Sequence, residues 1–234
     1  MRAVKFDFEF RAETASHHGI YIQKRPDMPA GKEEVEYITI AGRDSPLAVK
    51  TGERKNVEIT LSCGFRENKN DWNAKAREIR KWLDGEGELS FTDSPESFWK
   101  VKSVELDAFT RTIKKLGNFD VTFICAPFEY IKEGKKEKEI QEAKYNPYDM
   151  SKPIYKITGN GSCTLTVNEK TMKATVGQNL TVDTDRMLSY REDGTMMNTS
   201  VTGDYEDLYL KPGENEISIT SGFGLVIIPN WRCL

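Results

Sequence analysis

The chain has 234 residues, of which 38% are hydrophobic and 10% aromatic. It is therefore too apolar for a disordered protein and long enough for one large domain or two small ones. Its 34 Lys and Arg residues against 37 Asp and Glu give a formal net charge of -3, which argues against a sequence-independent nucleic-acid binder because such proteins need excess cations to neutralise phosphates.

Strand patterns dominate the first half of the chain. Residues 4–10 alternate apolar and charged side chains, which predicts a half-buried strand. Residues 19–24 and 35–40 predict two strands paired as a hairpin, because two prolines and a glycine mark residues 25–31 as the loop between them. Further strands are predicted at residues 56–63, 88–91, 98–106 and 118–126.

One helix is predicted after residue 71. Apolar side chains recur there at helical spacing, and a single apolar stripe is typical of a helix that packs on a sheet. Asn70 or Asp71 can cap the N-terminus, and Gly85 predicts a left-handed stop. The stripe consists of Trp72, Ala76, Ile79 and Leu83, bordered by Trp82. We expect both tryptophans in the core.

A charged segment divides the chain. Residues 131–144 contain a mixed charge run with no apolar face, which indicates a solvated hairpin tip or linker. We therefore place a domain boundary after it, with domains at 1–145 and 146–234. Short strands and turns then alternate, as is typical of a β-sandwich. Strands are predicted at 154–158, 163–167, 172–176, 179–182, 187–191, 207–210, 216–220 and 224–228, and turns at 159–161, 168–170, 177–178, 192–194 and 211–215.

Residues that could carry chemistry form no recognisable site. His17 and His18 are adjacent and would face opposite sides of a strand, so we interpret them as surface-loop residues. The cysteines at 63, 125, 163 and 233 lack metal or redox spacing and are expected to be free thiols. We predict no catalytic residue, no cofactor and no metal site. A paired-carboxylate glycoside hydrolase stays open, because the fold and not a local motif positions such carboxylates.

The aromatic residues of the second domain leave another function open. A sugar-binding β-sandwich usually exposes Trp or Tyr faces, so a carbohydrate-binding module is the alternative to a structural role. Most of these aromatics fall at alternating strand positions, which favours packing in the core or at its rim. They are Tyr155, Tyr190, Tyr205, Tyr209, Phe223 and Trp231.

Nine short segments along more than 200 residues carry a family resemblance. They are GIYI at 19–22 with KRP at 24–26, VEYITIAGRD at 35–44, IRKWL at 79–83, GELSFTDSP at 87–95, FDVTFICAPF at 119–128, KITGNG at 156–161, VDT at 182–184, LKPGEN at 210–215 and PNWR at 229–232. Each segment alone is weakly specific, but in this order they resemble the distal tail proteins of siphophages and their prophages. Ala41 departs from the family pattern, in which proline is common.

The resemblance implies a mainly β fold. It implies a tail-tube-like β-sandwich with one α-helix and a long hairpin, followed by a galectin-like jelly-roll β-sandwich. It also implies a structural virion protein and no enzyme, in the form of a hexameric ring at the tail tip. That ring connects the tail tube to the tip protein and leaves a channel for DNA. The alternative is an adhesion module that binds carbohydrate of the host cell wall.

Partners and location follow from the same resemblance. The expected partners are other copies of the chain, the tail tube protein, the tail-tip or tail-associated lysin protein and the tape measure. DNA would pass through without specific binding, which suits the mildly acidic chain. No apolar run reaches 18 residues, so no membrane insertion is expected. The protein would be located at the virion tail tip, and in the host cytoplasm during assembly.

The predicted hairpin at residues 19–41 is the candidate for ring closure, and the alternative is that it folds flat on its own sandwich. A hairpin that reaches past its own domain leaves unpaired edge groups, and pairing them with the next subunit gives a head-to-tail contact. The candidate interface residues are Ile20, Tyr21, Ile22, Arg25, Val35, Tyr37 and Ile38.

Overall fold

The computed structural model describes residues 6–234, apart from the side chain of Thr51. Val4 and Lys5, part of the first predicted strand, lie outside the described residues. The chain divides into two compact units, one reaching Glu129 and including Leu234, the other Tyr130–Cys233. Both are built mainly of strands, so the predicted mainly β fold class is confirmed. No helix in residues 6–234 is long and apolar enough to cross a membrane.

The first unit is a curled sheet with one helix. The sheet has the strand order β2-β1-β7-β8-β10-β6-β3, with β9 also paired to β10, and β4 and β5 form a separate two-stranded sheet. The elements are β1 (Phe8–Phe10), β2 (Glu13–Thr14), β3 (Ile20–Lys24), β4 (Glu33–Ile38), β5 (Leu47–Arg54), β6 (Val57–Arg66), α1 (Trp72–Trp82), β7 (Gly87–Phe91), β8 (Ser94–Leu106), β9 (Thr110–Ile113) and β10 (Leu116–Ile131), the last of which continues past Glu129.

Aromatic side chains form the centre of the first core. The rings of Phe8 and Phe10 on β1 lie 5.6 and 5.4 Å from the ring of Phe123 on β10, so the sheet curls over its own face. Helix α1 covers this core, with the Trp82 ring 5.7 Å from Phe8. Trp72 and Trp82 are both buried, which confirms the predicted helix and its apolar stripe. Large rings bury much apolar area each and dominate such a core.

The predicted hairpin of residues 19–24 and 35–40 is wrong in its pairing. Strand β3 pairs with β6, so that Tyr21 lies opposite Gly64, and β4 pairs with β5. The reason is packing: Ile20 is buried in the first core, and the bare Gly64 leaves room for the Tyr21 ring. Residues 47–54, which form β5, were not predicted as a strand.

The second unit is a second antiparallel sheet with its own core. The strand order is β14-β13-β12-β17, with β15 paired to β13 and β18 to β12, and β11 pairs separately with β16. The elements are α2 (Ile140–Ala143), β11 (Tyr145–Asn146), β12 (Ile154–Val167), β13 (Lys170–Asp183), β14 (Leu188–Tyr190), β15 (Val201–Thr202), β16 (Gly213–Glu214), β17 (Ile217–Ile219), β18 (Gly224–Ile228) and β19 (Arg232–Cys233).

Two predicted turns of the second unit are strand interior. Residues 159–161 and 177–178 lie within β12 and β13, where Gly159 is opposite Gln178 and the ladder continues through both segments. A Cβ on Gly159 would lie 2.4 Å from the Phe223 ring, and one on Gly177 would lie 2.9 Å from Arg191 Nη2. These glycines therefore leave room for the Phe223 and Arg191 side chains that pack against them, and they do not form turns.

The charged segment 131–144 is folded as part of the second unit. It forms a 3-10 turn at Lys132–Lys135 and the one-turn helix α2, and Ala143 is buried in the second core. The segment is therefore not a linker, although most side chains of its charge run are exposed as predicted. Helix α2 was not predicted, because a four-residue helix carries no periodic signal. The two compact units meet at 129/130, whereas the predicted boundary was at 145/146. Independent folding of the two domains stays a prediction.

The second unit departs from the predicted strands at further places, and its short strands β11, β15, β16 and β19 were not predicted. Residues 207–210 were predicted as a strand, but Tyr205–Leu208 form a 3-10 turn, which buries Leu208 in the second core.

Candidate assembly surface

The β4–β5 ribbon, residues 33–54, exposes several large apolar side chains, and we call it the arm. Ile38 is paired with Leu47, and Val49 lies two residues beyond Leu47 on β5, so these three share one face. Ile40 follows two residues after the end of β4. The four aliphatic side chains are all at least a third exposed, and Tyr37 on the opposite face is 69% exposed. A two-stranded ribbon is at best marginally stable in water by itself.

The base of the arm is anchored in the first unit. Arg54 Nη1 donates to the carbonyl of Gly31 at 2.9 Å, and its guanidinium lies 5.9 Å from the centre of the Phe128 ring. A Cβ on Gly31 would lie 2.6 Å from the carbonyl oxygen of Pro127, so this close approach requires glycine. The Lys55 amide donates to the Lys32 carbonyl at 3.0 Å. The arm therefore leaves a defined attachment point.

Ion pairs add to the register of the arm. Lys50 Nζ lies 2.7 Å from Glu33 Oε2, across the two strands. The hydrogen bond from Lys50 lowers the pKa of Glu33. Lys55 and Glu34 form a longer pair at 3.8 Å. Exposed pairs of this kind contribute little to stability because water screens them, so they orient the strands more than they stabilise them.

The predicted interface residues fall into two groups. Val35, Tyr37 and Ile38 lie together on the arm. Ile20, Tyr21 and Ile22 lie on β3, where Ile20 is buried and the other two are half-buried. The structure does not bring the two groups together as one hairpin.

Arg25, the remaining predicted interface residue, lies just after β3. Its Nη1 is 2.7 Å from Asp93 Oδ2, and its guanidinium is 4.6 Å from the Phe6 ring. Arg25 therefore already has partners within its own unit.

Sequence reasoning missed three exposed aliphatic residues of the arm. Ile40 was assigned to the predicted hairpin but not to the interface, and Leu47 and Val49 were in no predicted element. The signal was present in the run Leu47-Ala48-Val49 after Ser45-Pro46, since β-branched and aliphatic residues after a proline turn favour a strand.

His18 is more enclosed than a surface-loop residue, which corrects its interpretation. Its ring stacks on Trp82 at 4.1 Å. Nε2 lies 2.7 Å from Glu13 Oε2, and Nδ1 lies 3.3 Å from Glu78 Oε1. The side chain is only 11% exposed. His18 therefore ties β2 to α1, whereas His17 is exposed.

The cysteines are free, and three of the four are buried. Burial raises the pKa of Cys63 and of Cys125 to about 12. Since the thiolate is the reactive form, these thiols are poor nucleophiles near neutral pH. Within residues 6–234 no cluster of three or more His, Cys, Asp or Glu side chains could hold a metal ion.

The aromatics considered for sugar binding are packed. Tyr155 and Trp231 are buried, and Tyr155 Oη donates to the Leu208 carbonyl at 2.7 Å. The others, Tyr190, Tyr205, Tyr209 and Phe223, are half-buried. This confirms that they lie in the core or at its rim.

Comparisons with known proteins give a structural likeness and no likeness in sequence. No family model and no curated protein matches this sequence. The chain does superpose on the crystal structure of SPP1 Dit (gp 19.1), with a TM-score of 0.73, over 99% of this chain and 100% of that one. The chain has the distal tail protein fold. At 15% identity the likeness establishes the distal tail fold alone. SPP1 Dit is described as a paradigm of the hub adsorption apparatus in phages that infect Gram-positive bacteria.

Proposed function

We propose that this chain is a structural virion protein, a distal tail protein at the tail tip of a siphophage or prophage, and not an enzyme. The likeness to the phage hub protein over 99% of this chain and 100% of that one carries the proposal. It includes both units, and this matters because single β-sandwich domains serve many functions. The role in a phage hub is that protein's, and for this chain it is a proposal.

Ring formation would cover the apolar face of the arm. Ile38, Leu47 and Val49 share an exposed aliphatic face on a ribbon that is marginal alone, and Ile40 stands exposed just after it. Burial of such side chains against a neighbour is worth about 25 cal/mol for each Å² of apolar surface removed from water. In our proposal the neighbour is a second copy, and the arm makes a head-to-tail contact that closes into a ring, as a hexamer.

Strand β3 is the second part of the proposed interface. It stands at the end of the strand order of the first sheet, and within residues 6–234 it is paired on one side only, to β6. An unpaired strand edge is a template for another chain. The Ile20 amide already donates to the Ala15 carbonyl at 3.0 Å. We propose that the edge at Tyr21 and Ile22, with Arg25 beside it, receives a segment of the adjacent subunit.

The proposed ring would connect the tail tube protein to the tail-tip or tail-associated lysin protein. Its channel would pass DNA and contact the tape measure. The net charge of -3 per subunit supports passage without binding, because a surface without excess cations does not retain a polyanion. The ring would assemble in the host cytoplasm and function in the virion.

Shortening the arm tests the ring. Glu36 pairs with Val49, so replacing residues 37–48 by Asn-Gly leaves a two-residue hairpin turn. We expect circular dichroism to show an intact fold. Light scattering should show a multiple of 26.7 kDa for the wild type but the monomer for the variant. Negative-stain microscopy should show rings for the wild type only.

The matched control is Met196→Ser, which removes an exposed apolar side chain outside the arm and should leave the rings unchanged. Normal rings from the shortened chain would show that the arm is not the contact. A wild type that forms no ring, alone or with tail tube protein, contradicts the ring itself. Cell-wall zymography checks the absence of enzyme activity, and a clearing band that depends on one Asp or Glu would defeat the structural role.

A further inference from the structure

Five cations converge where the loops at one end of the first unit meet, and we call this surface the basic tip. Arg111 Nη2 donates to the carbonyls of Lys69 and Lys114, at 3.1 and 2.7 Å. The Glu67 amide donates to the Lys115 carbonyl at 2.9 Å, which ties the loop after β6 to the β9–β10 turn. The basic tip consists of Arg66, Lys69, Arg111, Lys114 and Lys115, all exposed.

The basic tip lies at the N-terminal end of α1. The Arg111 guanidinium is 4.9 Å from the ring of Trp72, the first residue of the helix. The first turn has no acidic residue, and the N-cap Asp71 makes no side-chain capping hydrogen bond. Cations near a helix N-terminus oppose the helix dipole. The stability of α1 therefore does not explain why these cations are there.

Carboxylates collect at the opposite end of α1, and we call that surface the acidic edge. Asp84, Glu86 and Glu88 follow the helix directly, and Glu9 on β1 is paired with Ser90 of the adjacent strand. Cations also face this edge. Arg11 Nε donates to the Glu86 carbonyl at 2.8 Å, Lys81 lies in the last turn of the helix, and Lys100 is paired with Glu88. Carboxylates at a helix C-terminus are again unfavourable for the helix.

We propose that the basic tip of one copy docks on the acidic edge of the next copy. The two surfaces are separated by the 11 residues of α1, about 16 Å at 1.5 Å per residue, so one copy cannot join its own two surfaces. A contact between two different surfaces of the same chain is heterologous and can close into a ring. This inference rests on the proposed ring and adds the surfaces that order its subunits.

A second copy fits the basic tip better than a nucleic acid does. The chain carries a surface of opposite charge, so complementarity is available without another partner. Ile113, the last residue of β9, is exposed and lines a shallow groove with Arg66, Lys114, Lys115 and Leu116. An exposed aliphatic side chain suits a protein surface, whereas single-stranded nucleic acid is gripped by aromatic faces.

Charge exchange tests the contact directly. In variant A, Lys69, Lys114 and Lys115 are each changed to Glu, and in variant B, Asp84 and Glu86 are each changed to Lys. We expect A alone and B alone to run as monomers at concentrations where the wild type assembles. An equal mixture of A and B should assemble, and so should a chain that carries both sets of changes. Sedimentation velocity at low and high salt gives the masses, and assembly should weaken with salt.

The control changes Lys135, Lys173 and Lys211 to Glu, at exposed positions of the second unit. It changes the net charge by the same amount as variant A. It should assemble like the wild type. If A and B assemble alone, or if the A and B mixture stays monomeric although both variants are folded by circular dichroism, the proposed contact is wrong while the ring stands. If the wild type stays monomeric at every concentration, the ring is contradicted together with this contact.

Discussion

The arm and the long hairpin of the second unit are both antiparallel ribbons, and they differ in what covers their apolar faces. Strands β12 and β13 pair over their full lengths, from Ile154 opposite Asp183 to Val167 opposite Lys170. Their inner side chains lie in the second core, as Tyr155 does. On the arm, Tyr37 and the aliphatic face meet solvent.

This difference shows that alternating apolar and polar side chains along a strand do not decide whether its apolar face is buried within the same chain. Both ribbons have backbone ladders, but only β12 and β13 remove apolar surface from water within their own chain. The arm is attached at its base through Arg54 and Gly31 and has no cover beyond. We infer that the arm obtains its cover from assembly.

The largest expected difference comes from truncating one tyrosine on each ribbon. Tyr155→Ala should lower the free energy of unfolding by about 3–5 kcal/mol, because it leaves a cavity and strands the Leu208 carbonyl. Tyr37→Ala should change it by less than about 0.5 kcal/mol, since the side chain is already exposed. Urea melts of the monomer measure both. Similar losses from the two changes would show that the arm is packed in solution.

Glycine substitutions should give a smaller difference. Gly159→Ala should cost about 1–3 kcal/mol, because its φ is +149° and the new Cβ would meet the Phe223 ring. Gly52→Ala on the arm meets no atom within 4 Å, so its cost is the backbone strain of a φ of +79°, about 1 kcal/mol. Gly52→Ala should speed amide hydrogen exchange on the arm and leave the global free energy of unfolding unchanged. A global loss of stability from Gly52→Ala would argue against this separation.

Thiol labelling provides a reporter for each ribbon. Cys163 on β12 is buried and burial raises its pKa, so below that pKa little thiolate forms and labelling should require unfolding. A Val49→Cys thiol on the arm should label within seconds to minutes in the monomer and become protected at least tenfold upon ring formation. Labelling rates followed by mass spectrometry check both sites. Protection of the arm thiol in the monomer would contradict an uncovered arm.

The smallest expected effect concerns acid. The folded-state pKa of Glu33 is lowered by Lys50, so its stabilising effect is present above the ordinary pKa of 4.5 and is lost as pH falls through the lowered value. Glu33→Gln should therefore speed amide exchange on the arm near pH 7, and the difference from wild type should vanish in acid. If the difference in amide exchange between Glu33→Gln and the wild type grows as pH falls, the Glu33–Lys50 pair is not its source.

Much of the local structure could be predicted, because local signals report local structure. The stripe of Trp72, Ala76 and Ile79 predicted α1, and Gly85 is left-handed as expected, with a φ of +81°. The strand at 224–228 was predicted with its observed ends. The turn at Asn168 and Glu169 is also confirmed, with both residues at positive φ.

Pairing partners could not be predicted in this way. Val35, Tyr37 and Ile38 were predicted as interface residues on a strand, but the partner of that strand was taken to be residues 19–24, whereas it is β5. The alternation of side chains along a strand predicts which of them share a face, but it does not predict which strand pairs with it. The choice between β3 and β5 depended on the burial of Ile20 and the space above Gly64, both of which exist only in the folded core.

By itself, the sequence determined the mainly β class, the helix and its buried face, and a chain without a local catalytic or metal motif, because these depend on spacing and composition. Only the tertiary structure decided that Gly159 makes room for Phe223 inside a continuous strand and that His18 is held between Glu13 and Glu78. It also decided that the arm stands uncovered. Each of these depends on which distant segments meet, and a short sequence pattern carries no information on such contacts.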